Sequence, residues 1–184
     1  MSDTWAKRIF YLYHLCVYVG LSGVLAILSG CGDPLPDQSQ FQPLDVLAKT
    51  NQAAVRIYGA PVPLFYGAIH TWFAVKHADA TTFDRWEVWV LSGDPYGFVW
   101  KNLFLPDVGI GGGRAKVIAE LIGSEADPII DFIETESPNY PYSNHYVFFP
   151  GPNSNSYTEW VIETSHWDVT LPERAIGWDA LPKE

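Results

Sequence analysis

The sequence predicts an α+β domain in which an antiparallel sheet packs with helices, carried behind an apolar export segment. Three observations predict it. Short runs of bulky and β-branched residues fill the region after residue 51. Helical periodicity and proline-marked helix starts take over in the second half. Strands and helices do not alternate as the β-α-β units that a parallel sheet needs. The chain of 184 residues sets a prior of one domain and is long enough for a sizeable core.

The N-terminus reads M-S-D-T-W-A-K-R, and 22 residues with no Asp, Glu, Lys or Arg separate Arg8 from Cys31. A basic start, an apolar run and small residues before a cut site make a secretory signal, residues 1–30. Leu28-Ser29-Gly30-Cys31 resembles the bacterial lipobox, which implies cleavage before Cys31 and acylation of that cysteine. The alternative is a retained membrane helix, since the run is long enough to span about 30 Å at 1.5 Å per residue. The break at Gly30-Cys31-Gly32-Asp33-Pro34 favours the lipoprotein. Either reading exports the rest and holds it at a bacterial membrane, on the periplasmic side, with Gly32 favouring the outer one. Cleavage removes Cys16 and leaves the lipidated Cys31 as the mature chain's one cysteine, so no cysteine nucleophile is expected.

Residues 31–50 then read as the lipidated cysteine and a tether, because Asp33 to Pro43 is rich in Pro and Gln and lacks periodicity. The domain spans 51–184. Ala54 to Tyr58 is a short strand, Ala68 to Lys76 the clearest strand, and Arg85 to Leu91 a third. Gly93 to Gly97 is a turn, and Phe98 to Phe104 a further strand. From Arg114, the spacing of Val117, Ile118, Leu121 and Ile122 predicts a helix. Pro128 opens a second helix that ends at Pro138. His145 to Phe149 reads as a strand, and Ser154 to Ser165 as a helix.

Composition excludes several classes. The formal net charge is −10, from 11 Lys+Arg against 21 Asp+Glu, which excludes a nucleic-acid backbone binder. Aromatics at 15% exclude a disordered acidic segment. Two cysteines cannot form a disulfide framework or a four-thiolate zinc site. His145, His166 and Asp168 lack metal-ligand spacing, and His70 and His77 point to opposite sides of one strand, so neither metal nor cofactor is expected. Gly109 to Arg114 lacks the ending of a phosphate loop.

Chemistry concentrates at two places. Along the clearest strand, Ala68, His70, Trp72, Ala74 and Lys76 share one face, and Ile69, Thr71, Phe73 and Val75 the other, which reads as core. On the next strand Glu87 is placed to orient a neighbouring histidine. At P-G-P-N-S-N-S-Y, Asn153 or Ser154 caps a helix whose N-terminus offers free N–H groups. Ser154 or Ser156 there, with His70 as base and Glu87 as orienter, forms a candidate nucleophilic set. The plain reading is a helix cap and a structural histidine.

The stretches I-H-T-W-F-A-V-K at 69–76, Y-P-Y at 140–142, P-G-P-N-S-N at 150–155 and L-P-x-x-A-I-G at 171–177 resemble the bacterial domain of unknown function 3750. That resemblance covers Ala53 to Leu181. A more distant one is to the circularly permuted papain-like proteins, with a strand histidine first and a helix-opening cysteine, in N-C-x-H-F, later. His70 matches the histidine and Ser154 the cysteine, within Asn153-Ser154-Asn155-Ser156-Tyr157. A serine forms no thiolate–imidazolium pair. The resemblance therefore implies either a true general base on Ser154 or an inactive, binding relative.

The functional expectation is a membrane-tethered hydrolase or acyltransferase of an amide or ester bond on a cell-envelope molecule. Ser154, His70 and Glu87 are its catalytic candidates. Trp72, Asn153, Asn155 and Ser156 are its substrate-binding candidates, with oxyanion donors around Asn155 and Ser156. The alternatives are a non-catalytic envelope binding lipoprotein and an accessory subunit of a membrane complex.

Overall fold

The structure is a computed structural model that describes residues 35–180 apart from 64, 66, 92–95 and 111–113. The expected signal segment, with Cys16 and Cys31, lies outside the described residues, as does most of the turn expected at 93–97. Among the described residues no helix is long and apolar enough to cross a membrane.

Five strands form one antiparallel sheet: β1 (Ala54–Pro61), β2 (Ile69–Lys76), β3 (Asp84–Trp89), β4 (Phe98–Lys101) and β5 (Lys116–Ile122). Their order is β4-β3-β2-β1-β5. Three α-helices are described: the short α1 (Leu44–Leu47), α2 (Asp127–Glu136) and α3 (Ser154–Thr164). Strands come first and the main helices follow, an α+β arrangement. Alternation along β2 sends Ile69, Phe73 and Val75 into the main core, where they meet Ile129, Ile130 and Ile133 of α2 and Tyr157, Val161 and Ile162 of α3.

The sheet face that carries His70, opposite the one read as core, is buried too. Tyr58, Trp72, Ala74 and Val117 pack there with Leu47 of α1 and Phe83. Its long cations are buried and committed. Arg56 pairs with Glu120, and the Lys76 ammonium donates to the carbonyls of Thr50, His77 and Ala80, each at 3.0 Å.

Two expected elements are corrected. The helix expected from Arg114 is strand β5, and Arg114 itself only bridges to Val108. The β1–β5 register shifts between Ile57 and Tyr58, which leaves Ile118 as an extra residue between Val117 and Ala119. Ile118 and Ala119 then both face the main core, while Val117 and Ile122 face the second cluster. A bulge thus breaks the two-residue alternation and counterfeits a helical spacing. The strand expected at His145–Phe149 is irregular. Its polar groups are taken inside its own loop, the Val147 N–H by the Pro152 carbonyl and the Phe148 carbonyl by the Asn153 amide.

The tether reading also ends sooner than expected. Leu35 packs against the main core, and the Gln38 amide pairs with both the N–H and the carbonyl of Val117, at 2.8 and 2.9 Å. Gln38 so covers part of the open edge of β5.

Candidate active site

The site begins with a gap in a ladder. β2 pairs with β3 only from Phe73↔Trp86 to Val75↔Asp84, although β2 reaches back to Ile69 and β3 runs on to Trp89. The backbone of Ile69 and Thr71 needs other partners there. The Asn155 side chain supplies them. Its Nδ2 donates to the Ile69 carbonyl at 3.0 Å and its Oδ1 accepts from the Thr71 N–H at 3.0 Å. The Ile69 N–H donates to the Arg174 carbonyl at 2.8 Å. One carboxamide and the C-terminal segment replace the missing stretch of β3.

This replacement fixes the first turn of α3 against β2. Asn153 is the N-cap, and a capping box with Ser156 closes the turn. The C-terminal segment locks it from the other side. Asn153 and Asn155 both donate to the Ile176 carbonyl, at 3.0 and 2.9 Å, and Ser156 donates to the Gly177 carbonyl. Gly177 sits at φ +83°, and a Cβ there would lie 2.7 Å from the Pro150 carbonyl oxygen. P-G-P-N-S-N and L-P-x-x-A-I-G are therefore two halves of one hydrogen-bonded bracket.

Held this way, Ser154 opens α3 beside His70. His70 Nδ1 lies 2.7 Å from Ser154 Oγ, and His70 Nε2 lies 2.8 Å from Glu87 Oε2. His70, Glu87 and Ser154 are 3%, 0% and 4% exposed. A carboxylate accepting from Nε2–H leaves Nδ1 as the bare nitrogen that accepts the Ser154 hydroxyl. The nitrogens serve in the opposite sense to the chymotrypsin-type triad, in which Nε2 meets the serine. Burial holds the His70 imidazole below its ordinary value against the opposing pull of Glu87, so the ring is neutral at neutral pH. Burial pushes the Glu87 carboxyl up, but the hydrogen bond from His70, with the hydrogen bond and charge of Arg85, outweighs it and keeps the group below its ordinary value.

The remaining candidates are brought to the same place in different roles. Trp72 is fully buried, so it lines no open groove. Its indole stacks on the His70 ring at 5.5 Å and ties its Nε1–H to the Pro106 carbonyl at 2.7 Å. Asn153, Asn155 and Ser156 are buried and spend their side chains on the bracket. The Asn155 and Ser156 N–H groups, expected as oxyanion donors, both donate to the Asn153 side chain. The N–H of Ser154 donates to no described residue, so the helix-opening donor is that of the serine itself.

Arg85 was missed by the sequence reading. It is fully buried, stands 4.0 Å over the Trp72 ring, and its Nη2 donates to Glu87 Oε2 at 2.7 Å. The signal was its place two residues before Glu87, on the same strand face. Among the described residues no His, Cys, Asp or Glu side chains gather in threes as metal ligands.

A family model described as Protein of unknown function (DUF3750) matches residues 52–180. The chain belongs to this family. No curated protein and no solved structure matches it. The DUF3750 span takes in β1 through the bracket and contains His70, Arg85, Glu87 and Ser154.

Proposed function

We propose that this DUF3750 protein is an exported, membrane-tethered envelope protein that cleaves or transfers the acyl group of an amide or ester. The observation that carries the reading is the unbroken line from Ser154 Oγ through the His70 ring to Glu87 Oε2, with 2.7 and 2.8 Å steps. Ser154 Oγ attacks the acyl carbon as His70 Nδ1 takes its proton. The oxyanion forms against the Ser154 N–H and the positive end of α3. Glu87 holds the ring and balances the imidazolium. Nδ1 then returns the proton to the departing nitrogen or oxygen, and the acyl-serine passes to water or another acceptor. A strand histidine followed by a helix-opening nucleophile is the order of the permuted papain-like proteins, and it supports that fold assignment. The lipobox-like Leu28 to Cys31 supports the tether.

The near-complete burial of Ser154 favours a second reading, a non-catalytic binding lipoprotein in which the same bonds only shape a surface. A fluorophosphonate probe on the full-length protein separates the two. Covalent modification of Ser154, lost in Ser154→Ala and His70→Ala, is expected. An unmodified wild-type protein across pH 6 to 9 would leave the binding reading. Mass spectrometry of the mature N-terminus tests the tether, which expects an acylated Cys31.

A further inference from the structure

The Ser154–His70–Glu87 line does not end at Glu87. Arg85 shares Glu87 Oε2 with His70, and Glu87 Oε1 has no partner among the described residues. Arg85, His70 and Glu87 are all buried side chains. Ionised groups in so dry a site must nearly cancel, because isolated charge there is costly. With Arg85 positive and Glu87 negative, the site is neutral only while His70 carries no proton. Without Arg85, the same neutrality needs one proton on the His70–Glu87 pair. Either location spoils the base, since a protonated His70 cannot accept and a protonated Glu87 cannot balance an imidazolium.

Among the described residues no other charge stands in for Arg85. On β1, Arg56 is paired with Glu120; on β4, Lys101 lies 2.8 Å from Asp84; the Lys76 ammonium of β2 is tied to backbone carbonyls. On α3, Glu159 carries a carboxyl and cannot replace a cation. In the segment after β4, Asp107 acts on Tyr58. The guanidinium is also pinned in place. Nη1 donates to the carbonyls of Leu105 and Val108 at 2.8 and 2.6 Å, and the guanidinium stands 4.0 Å over the Trp72 ring, which also stacks on His70.

From this geometry we infer that Arg85 is a positioning residue of the site, the counter-charge that keeps Glu87 ionised while His70 stays an unprotonated base. This deepens the reading above and rests on it for the chemistry, though not for the protonation state. The effect belongs to the coupled pair and is independent of which partner holds the added proton.

The test has two readouts on full-length protein. Imidazole NMR follows the His70–Glu87 pair through a pH titration, and the rate of fluorophosphonate modification of Ser154 gives a pH profile. In the wild type, proton uptake falls below pH 6.5. In Arg85→Met it moves up by about 1–3 pH units, the size of an opposite-charge effect at this range, and the acid limb of modification moves with it. Arg85→Lys keeps both near the wild-type position. Arg85→Met with Glu87→Gln abolishes the upward shift, because no carboxylate remains to balance. An Arg85→Met limb that stays put, or a wild-type pair already holding a proton at pH 7, overturns the inference. The wild-type titration needs no variant to fold. If the probe modifies nothing, the catalytic reading fails while NMR still decides the role of Arg85.

Discussion

Replacing Asn155 by Ala should cost more stability than any other single change at the site. The Asn155 amide makes four hydrogen bonds: Oδ1 accepts from the Thr71 N–H and hydroxyl, at 3.0 and 2.9 Å, and Nδ2 donates to the Ile69 and Ile176 carbonyls, at 3.0 and 2.9 Å. That saturates its full capacity of two acceptor and two donor sites. Truncation strands the Thr71 N–H and the Ile69 carbonyl where no strand can reach them, and each buried orphan costs about 1–3 kcal/mol. Thr71 keeps its hydroxyl bond to Thr158, which offsets part of the loss. The sum is about 3–5 kcal/mol, or a fall in Tm of roughly 6–20 °C for a chain of this size. Urea and thermal unfolding followed by circular dichroism measure it. Asn155→Asp should lose at least as much at pH 7, because it turns an oxygen toward two carbonyls. Well below the midpoint, Asn155→Ala should also slow modification of Ser154 by at least about tenfold, as the serine drifts from His70. A loss under 1 kcal/mol would refute the claim that this carboxamide substitutes for the absent strand.

Ser154→Ala removes one hydroxyl and leaves the buried His70 Nδ1 without its partner, so stability should fall by about 1–3 kcal/mol while probe modification disappears; a collapse of the fold would show that the serine is structural. Because the folded His70 value lies below its ordinary 6.5, the unfolded chain takes up that proton first. Stability should therefore be level above pH 6.5, fall as the pH drops below it, and fall further below about 4.5 as Glu87 adds the same effect; in urea titrations, His70→Asn should flatten the first decline. Gly177→Ala meets both a positive φ and the Pro150 carbonyl, so it should cost about 2 kcal/mol or more, whereas Gly123→Ala, at φ +84° with no atom within 4 Å, should cost about 1 kcal/mol.

The alternation of I-H-T-W-F-A-V-K made β2 legible, and Pro128 and Asn153 marked two helix starts by local chemistry that tertiary packing left intact. Their shared dependence on side-chain period and capping also made His70, Glu87 and Ser154 recoverable as a group. β5 was misread because its bulge at Ile118 depends on β1, which no local pattern reports. The same holds for Trp72, Asn153, Asn155 and Ser156. Their residue types suggested ligand contacts, but the interruption between β2 and β3 claims the Asn155 side chain and the C-terminal segment those of Asn153 and Ser156, and only tertiary pairing reveals either. Arg85 was hidden by its charge, since arginine reads as solvated until the loop around Leu105 to Val108 is seen to enclose it.

Gln38 and Leu35 have one more consequence. With the chain already seated on the body at Leu35, only residues 32–34 separate it from Cys31. Four extended residue steps reach about 14 Å at most. The acyl group proposed above for Cys31 would moor the body almost on the headgroups, with no slack to reach outward. Molecules far out from the leaflet would then stay beyond its grasp unless they diffuse to the membrane themselves.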